Sequence, residues 1–445
     1  MIKKSLLATC TLMASMSTFA DVTINELTVN PQLYPVGFEE HLQRNLDFFV
    51  DGVGVDQKAK VPYDTIFVDK DGQIEHAYYV NTTEIGLYLN VLVEAHKNGN
   101  ADALVRINET LDALASAPTW KGLFYWPYDI EGDQLKPNKD GIVPAVDNAN
   151  LAFALAGVAG AYLDSKQADE KQVIAKVESI LNSQTDGWAE LYDESRGLLY
   201  SGWSTTKQAP LTYHIDRKAN ESRLAPIWAH LITRDSESTV PKTAFNNMEL
   251  YTQDYYLDGK KYSPMLTWDG AYFQGMLSMI WLEERSLIPD FSMIEDMTEI
   301  QKYHAIKHQI PFVSSAATVD DGYAAFGVPE LSESKVRFNN TDIAGGDTGT
   351  PHALALSYMV NPFEAVKLLN TVIDYYPQLE TPYGWYDAIN GKGETSTKIL
   401  SLDQGMFVGA FLSPAINQDV RKYLESKNYY AAIVDMYETF EPNNK

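Results

Sequence analysis

The segment "VDNANLAFALAGVAGAYL" (Val146–Leu163) has one charged residue, Asp147, at its very start, and from Leu151 onward only small, apolar and aromatic residues. Wound as a helix it has no polar stripe to turn to water, so it must be packed on every side. Five more segments share that character: "NTTEIGLYLNVLVEA", "NESRLAPIWAHLI", "WDGAYFQGMLSMIWLEE", "TPHALALSYMV" and "LDQGMFVGAFL". A second set of helical segments is charged along one face only: Phe38–Val50, Ala101–Ala115, Ala168–Leu181, Met293–Lys307, Pro362–Tyr375 and Asn417–Tyr437. The two sets largely alternate along the chain. Six buried helices, largely alternating with an outer half-wet set, predict an all-α (α/α)6 toroid.

That architecture has a consequence for chemistry. If each outer helix returns the chain, the six inner helices run parallel and their N-termini open on one face. At or just before each N-terminus stands one carboxylate: Glu84, Asp147, Glu221, Asp269, Asp347 and Asp403. The loops entering these helices are aromatic, as in "GLFYWPYDIEGD", "MLTWDGAYF" and "YGWYDAING". Gly/Asp turns in "YDIEGDQ" and "YDESRGLLYSGW" predict short β-hairpins on the same face. Acids and aromatic rings therefore converge on one concave mouth. Trp126, Tyr128, Trp268 and Trp385 are expected to stack on sugar rings, with Asp269, Asp347, Tyr386, Asp387 and Gln404 lining the site.

Each acid also has a plain structural reading. Asn81 and Glu84 are spaced as a capping box, which assigns Glu84 to its helix start. In "VDKDGQIE", Asp69 and Asp71 precede Gly72, but the third ligand and distal glutamate of a calcium loop are missing, so a tight turn is expected. Glu221 could be a first-turn charge. However, Asn220 can cap that turn alone, which leaves Glu221 free to act as a general acid. The histidines show no zinc-binding spacing, and there is no nucleophile elbow or phosphate loop. No metal or cofactor is expected, and the chemistry left is that of paired carboxylates.

Residues 1–20 read as a cleavable secretory signal: Lys3 and Lys4, a short apolar core, then small residues up to Ala20. They hold the one cysteine, Cys10. The reading is thus a leader followed by a single domain, 21–445, that is periplasmic or secreted, monomeric and without a membrane anchor. A net charge of −25 repels nucleic acid and polyanionic polysaccharide, while 27 Tyr and 8 Trp suit a neutral oligo- or polysaccharide.

The motifs "TTEIGLYLNVLVEA", "GLFYWPYDI", "VPAVDNANLAFAL", "ANESRLA", "LTWDGAYFQGM", "YAAFGVPEL", "PHALALSYMVNPFEAV", "YGWYDAIN" and "LDQGM" resemble, in order, the bacterial glycoamylase-like domain. That group includes endo-β-1,2-glucanases and a domain of cyclic β-1,2-glucan synthases, and the likeness runs from Phe38 to Phe411. It implies a toroid, an inverting hydrolase, Glu221 as proton donor, and catalytic importance for Asp147. Asp403 and Gln404 match a D/H-Q-G motif. The chain departs from the glucan-synthase domains at "FVSSAATVDD", where they carry "GISES". The leading expectation is an exported hydrolase of a neutral glucan, with Glu221 protonating the leaving oxygen and Asp147 or Asp403 activating water; the resemblance points to a β-1,2 linkage. The alternatives are a non-catalytic glycan-binding or export accessory protein on the same fold and, through Tyr213, His214, Arg217 and Arg223, a polysaccharide lyase.

Overall fold

Burial and capping place most of the helices where periodicity puts them, although "WDGAYFQGMLSMIWLEE" is an α-helix only over Tyr272–Met276 and tightens to a 3-10 turn at Leu277–Ile280. The computed structural model describes residues 22–444; the expected leader, with Cys10, lies outside them. Thr82–Lys97 begins on a full capping box, in which Asn81 accepts the Glu84 N–H and the Glu84 carboxylate accepts the Asn81 N–H. The other predominantly buried helices are Ala145–Tyr162, Leu224–Thr233, Tyr272–Met276, Pro351–Leu356 and Ser401–Ser426. Helices with one wet face lie between them, among them Ala101–Ser116, Ala168–Asn182, Ser292–His308 and Pro362–Tyr375.

The buried helices pack in a definite order. Leu224–Thr233 lies against Ala145–Tyr162, which lies against Thr82–Lys97, which lies against Ser401–Ser426. The last packs on Pro351–Leu356, which touches Tyr272–Met276. That short helix in turn meets the turn Glu221–Arg223 that precedes Leu224. Small residues allow the close approaches: a Cβ on Gly160 would lie 1.9 Å from the carbonyl oxygen of Asp419. Stripped of glycine here, the Asp147 and Asp403 helices would be forced apart.

Two departures from the periodic reading have local causes. The last inner helix does not stop before Asn417 but runs on to Ser426 through Pro414. Proline leaves the Ala410 carbonyl without its helical donor, and the Ser413 hydroxyl donates to that carbonyl at 2.9 Å. An outer helix therefore begins only at Tyr430. The Glu221 segment opens as a 3-10 turn, Glu221–Arg223, before the α-helix starts at Leu224, as Pro226 cannot supply the first-turn hydrogen bond to Ser222.

The expected hairpins are present. Trp126–Glu131 pairs with Gln134–Pro144 around Gly132, and Tyr192–Asp193 pairs with Leu198–Tyr200 around Gly197. Asp69 accepts the N–H groups of Asp71 and Gln73 at 2.9 and 2.8 Å, so "VDKDGQ" is a turn closed by its own aspartate. Among the described residues no helix is long and apolar enough to cross a membrane.

Candidate active site

Glu221 lies in the wall of a cleft of about 660 Å³, shared with Val146, Asp216, Arg217, Tyr213, His214 and Trp268. Its helix start needs nothing from it. The Asn220 side chain accepts the Ser222 N–H at 3.0 Å and the Ser222 hydroxyl at 2.5 Å. The Glu221 Oε2 atom is occluded and has no hydrogen-bond partner. Burial pushes the carboxyl up to about 7, and the nearby Asp147 and Asp269 add to the effect while Arg223 opposes it. A carboxyl that keeps its proton near neutrality can donate it.

Asp147, in the first turn of Ala145–Tyr162, is raised to about 6 by burial, against a 2.7 Å hydrogen bond from the Thr83 hydroxyl. Asp269 is also raised by burial. Its loop is set by a tight crossing: Gly270 has φ +79, and a Cβ on Gly327 would lie 1.8 Å from the Asp269 carbonyl oxygen. Only glycine fits either position.

Farther round the same line of acids, burial and then Asp64 hold Glu84 well above the carboxylate range. Asp64 in turn acts on Asp403, which burial raises to about 7 and a hydrogen bond from Asp387 draws back. Burial and then the Asp403 charge push Asp387 well above its ordinary value, so the pair shares one proton. The Ala317 N–H donates to Asp387 Oδ2 at 2.6 Å. Asp403 Oδ2 has no hydrogen-bond partner, and His352 Nδ1 lies 3.2 Å from it. His352 Nδ1 is hydrogen-bonded with Thr350 Oγ1 at 2.8 Å, and burial lowers the ring to about 4, leaving it neutral. A cavity of about 10 Å³ adjoins His352, Asp387 and Asp403, room for one water.

The acids thus form one electrostatic chain: Asp269, Glu221, Asp147, Glu84, Asp64, Asp403, Asp387. His352, Asp387 and Asp403 also bring ligand atoms within 4.8 Å of one another. An ion there would have to displace the shared proton.

No family model matches the sequence, and no curated protein matches it. Solved structures do. The endo-β-1,2-glucanase of Talaromyces funiculosus, solved with sophorose, aligns over 91% of this chain and 90% of its own, at TM-score 0.77 and 13% identity. That of Chitinophaga pinensis, with sophorotriose and glucose, aligns over 87% and 96%, at TM-score 0.70 and 15% identity. A candidate glucoamylase of Bacteroides caccae aligns over 89% and 98%, at TM-score 0.73 and 16% identity. The chain has the endo-β-1,2-glucanase fold.

Within that fold, the aromatic residues expected at the mouth divide. Trp268 is 42% exposed and lines the cleft, and Trp126 is 47% exposed. Tyr128 is buried instead, its hydroxyl donating to the Pro118 carbonyl at 2.5 Å. Trp385 is buried too, against Phe38 and Phe407, with its Nε1 donating to Glu380 at 2.9 Å. Neither leaves a face open for a sugar, because hydrophobic packing has taken the rings. Tyr386 donates to the Val68 carbonyl at 2.9 Å. Gln404 donates to Asn45 O and Oδ1 at 3.0 and 2.6 Å, tying two helices together. Asp347 lies exposed on a strand connection, its carbonyl accepting the Gly391 N–H, and is not among the cleft residues or the chain of acids.

Two members of the site went unread in the sequence. Asp64 follows Tyr63 at a strand start, with no capping or motif spacing to mark it. His352 showed only as a histidine lacking metal spacing.

Proposed function

We propose that this chain, residues 21–445 as one domain, is a glycoside hydrolase acting on a neutral glucan. We read the cyclic packing order of its buried helices as a closed (α/α)6 toroid with the acids at its mouth. The observation that carries the reading is Glu221: a carboxyl raised to about 7, with an unpartnered oxygen, in the wall of a large cleft. Glu221 donates its proton to the glycosidic oxygen as the C1–O bond breaks, and the bonding pair leaves with that oxygen. A water adds to C1 from the opposite face and gives up a proton to a carboxylate. Asp403 suits that second role, because its Oδ2 is unpartnered beside a cavity the size of one water. Asp147 is the other acid of the right kind, but one of its oxygens already accepts from Thr83. Two separate carboxyls with water between them make an inverting enzyme.

Support for a β-1,2 linkage comes from the ligands of structures that share the fold. Sophorose and sophorotriose are the ligands named for two of the aligned glucanases, and a Glu→Gln variant of the first is solved with β-1,2-glucan. Export rests on the leader read at residues 1–20. A lyase finds less support: Arg217 is paired with Asp216, Glu249 and Glu333, and His214 with Asp193. Arg196, exposed at the cleft, is the cation left there, within a protein of net charge −25 that opposes a polyanion.

The test is digestion of a panel of neutral glucans, linear β-1,2-glucan included, with the product anomer read by NMR. Release of reducing ends of inverted configuration, lost in Glu221→Gln and Asp403→Asn, is expected. Binding without cleavage of any glucan would make the protein a glycan-binding accessory instead.

A further inference from the structure

A further hairpin adjoins Asp387. Ala316–Ala317 pairs with Tyr323–Ala324, with Ala317 directly opposite Tyr323. That rung therefore does two things. Its Ala317 N–H holds Asp387 at 2.6 Å, and its other residue carries a phenol. The tip is clasped to the strand that leads into the Asp403 helix: Asp321, in the left-handed region at φ +62, accepts the Thr397 N–H and hydroxyl at 2.7 and 2.9 Å. Lys398 Nζ donates to the Gly322 carbonyl at 3.3 Å, and the Gly322 N–H donates to Thr318 Oγ1 at 2.8 Å. A loop held at this many points presents its side chains in fixed positions.

The Tyr323 ring is 62% exposed, yet its hydroxyl is shifted upward by desolvation first, then by Asp403, Asp387 and Glu221, against a hydrogen bond with Ser315. Both facts hold together if the ring stands in a concavity, surrounded by protein without being covered by it. The same three acids define the two sides of the proposed reaction centre. At neutral pH the phenol is uncharged, so it can donate and accept a hydrogen bond, and its open face suits the C–H face of a sugar.

We propose that Tyr323 is a substrate-contacting residue, whose hydroxyl hydrogen-bonds a hydroxyl of the sugar unit held between Glu221 and the Asp387–Asp403 pair. The inference rests on the reading of the cleft as a glucan site, and it adds a contact from the hairpin that holds Asp387.

The experiment compares wild type with Tyr323→Phe and Tyr323→Ala, using linear β-1,2-glucan oligosaccharides with β-1,3 and β-1,4 oligosaccharides in parallel. Tyr323→Phe keeps the ring and loses one hydrogen bond, so kcat/KM on the cleaved glucan should fall roughly tenfold. Tyr323→Ala should fall further, both with the melting temperature of wild type. Unchanged kcat/KM in both variants overturns the proposal, as does a loss explained by a lowered melting temperature. If wild type cleaves none of the glucans, the hydrolase reading fails and calorimetric affinity decides the tyrosine separately. Weaker binding by Tyr323→Phe supports the contact; equal binding, or no binding by wild type either, refutes it.

Discussion

Because Asn220 closes the turn on its own, the cap does not depend on the Glu221 carboxyl, whose Oε2 is shut away from water without a hydrogen-bond partner. Glu221→Gln preserves shape and hydrogen bonding but cannot donate an acidic proton. Its turnover on the cleaved glucan should drop about 10²–10⁴-fold with binding nearly intact, read by kinetics beside calorimetry. The same change should alter stability with a definite sign. Folding raises this carboxyl from 4.5 to about 7, so the folded state binds the extra proton between those values. Its unfavourable contribution grows as pH rises through that window and is complete above about 7. Glu221→Gln should therefore be more stable than wild type at pH 8, by about 1–3 kcal/mol, and no more stable at pH 4; urea unfolding at the two pH values checks it. The kcat/KM profile should be a narrow bell, its alkaline limb set by Glu221 and its acid limb by Asp403, both held near 7.

The short turn that carries Glu221 is held from behind. Arg223, fully buried, donates to the carbonyls of Asn220, Gln274 and Gly275 at 3.2, 3.3 and 2.8 Å and pairs with Glu284 at 2.5 Å. Glu284 also accepts from Ser278 at 3.0 Å and from the Tyr437 hydroxyl. This post joins the Glu221 turn to the helix that follows Asp269, so two mouth acids share one support. Glu284→Ala leaves a buried guanidinium without its counter-charge and should cost about 3–5 kcal/mol in urea unfolding. Trp268 and Trp385 should separate by their burial. Trp268→Ala, at an exposed ring, should weaken glycan binding by roughly 1–3 kcal/mol with folding unchanged. Trp385→Ala, at a buried one, should instead lower stability by about 3–5 kcal/mol, measured by calorimetry and unfolding in parallel.

Over the whole molecule, seven carboxyls lie in one electrostatic chain inside a protein of net charge −25. Carboxylates so close cannot all ionise together. Burial raises Asp269, Asp147 and above all Asp403, while Glu221, Glu84 and Asp387 are raised by burial and then by neighbouring carboxyls, which keeps protons available at the mouth near neutrality. That field favours a neutral ligand and opposes an anionic one. Alginate and pectin should give no rise in absorbance from unsaturated products, and raising salt to 0.5 M should leave neutral-glucan affinity unchanged within about twofold, since no ion pair forms on binding.

The alternation of helices, their approximate ends, the capping box at Glu84, the Gly-centred hairpins and the freedom of Glu221 were legible in the sequence. Periodicity, capping and turn chemistry are local, and each is written within a few residues. Which aromatics would be bare was not legible: Trp268 and Trp385 follow similar loops, and only the packing of Phe38 and Phe407 buries the second. Nor was the partnership of Asp387 with Asp403 and His352, or the place of Asp64 between two helix starts. Such groups meet across stretches of chain whose spacing carries no period. The sequence determined that acids would gather at helix starts, because helix register is local. Only the tertiary structure decided which of them touch, and burial beside one another is what turns ordinary carboxylates into acids that hold a proton near pH 7.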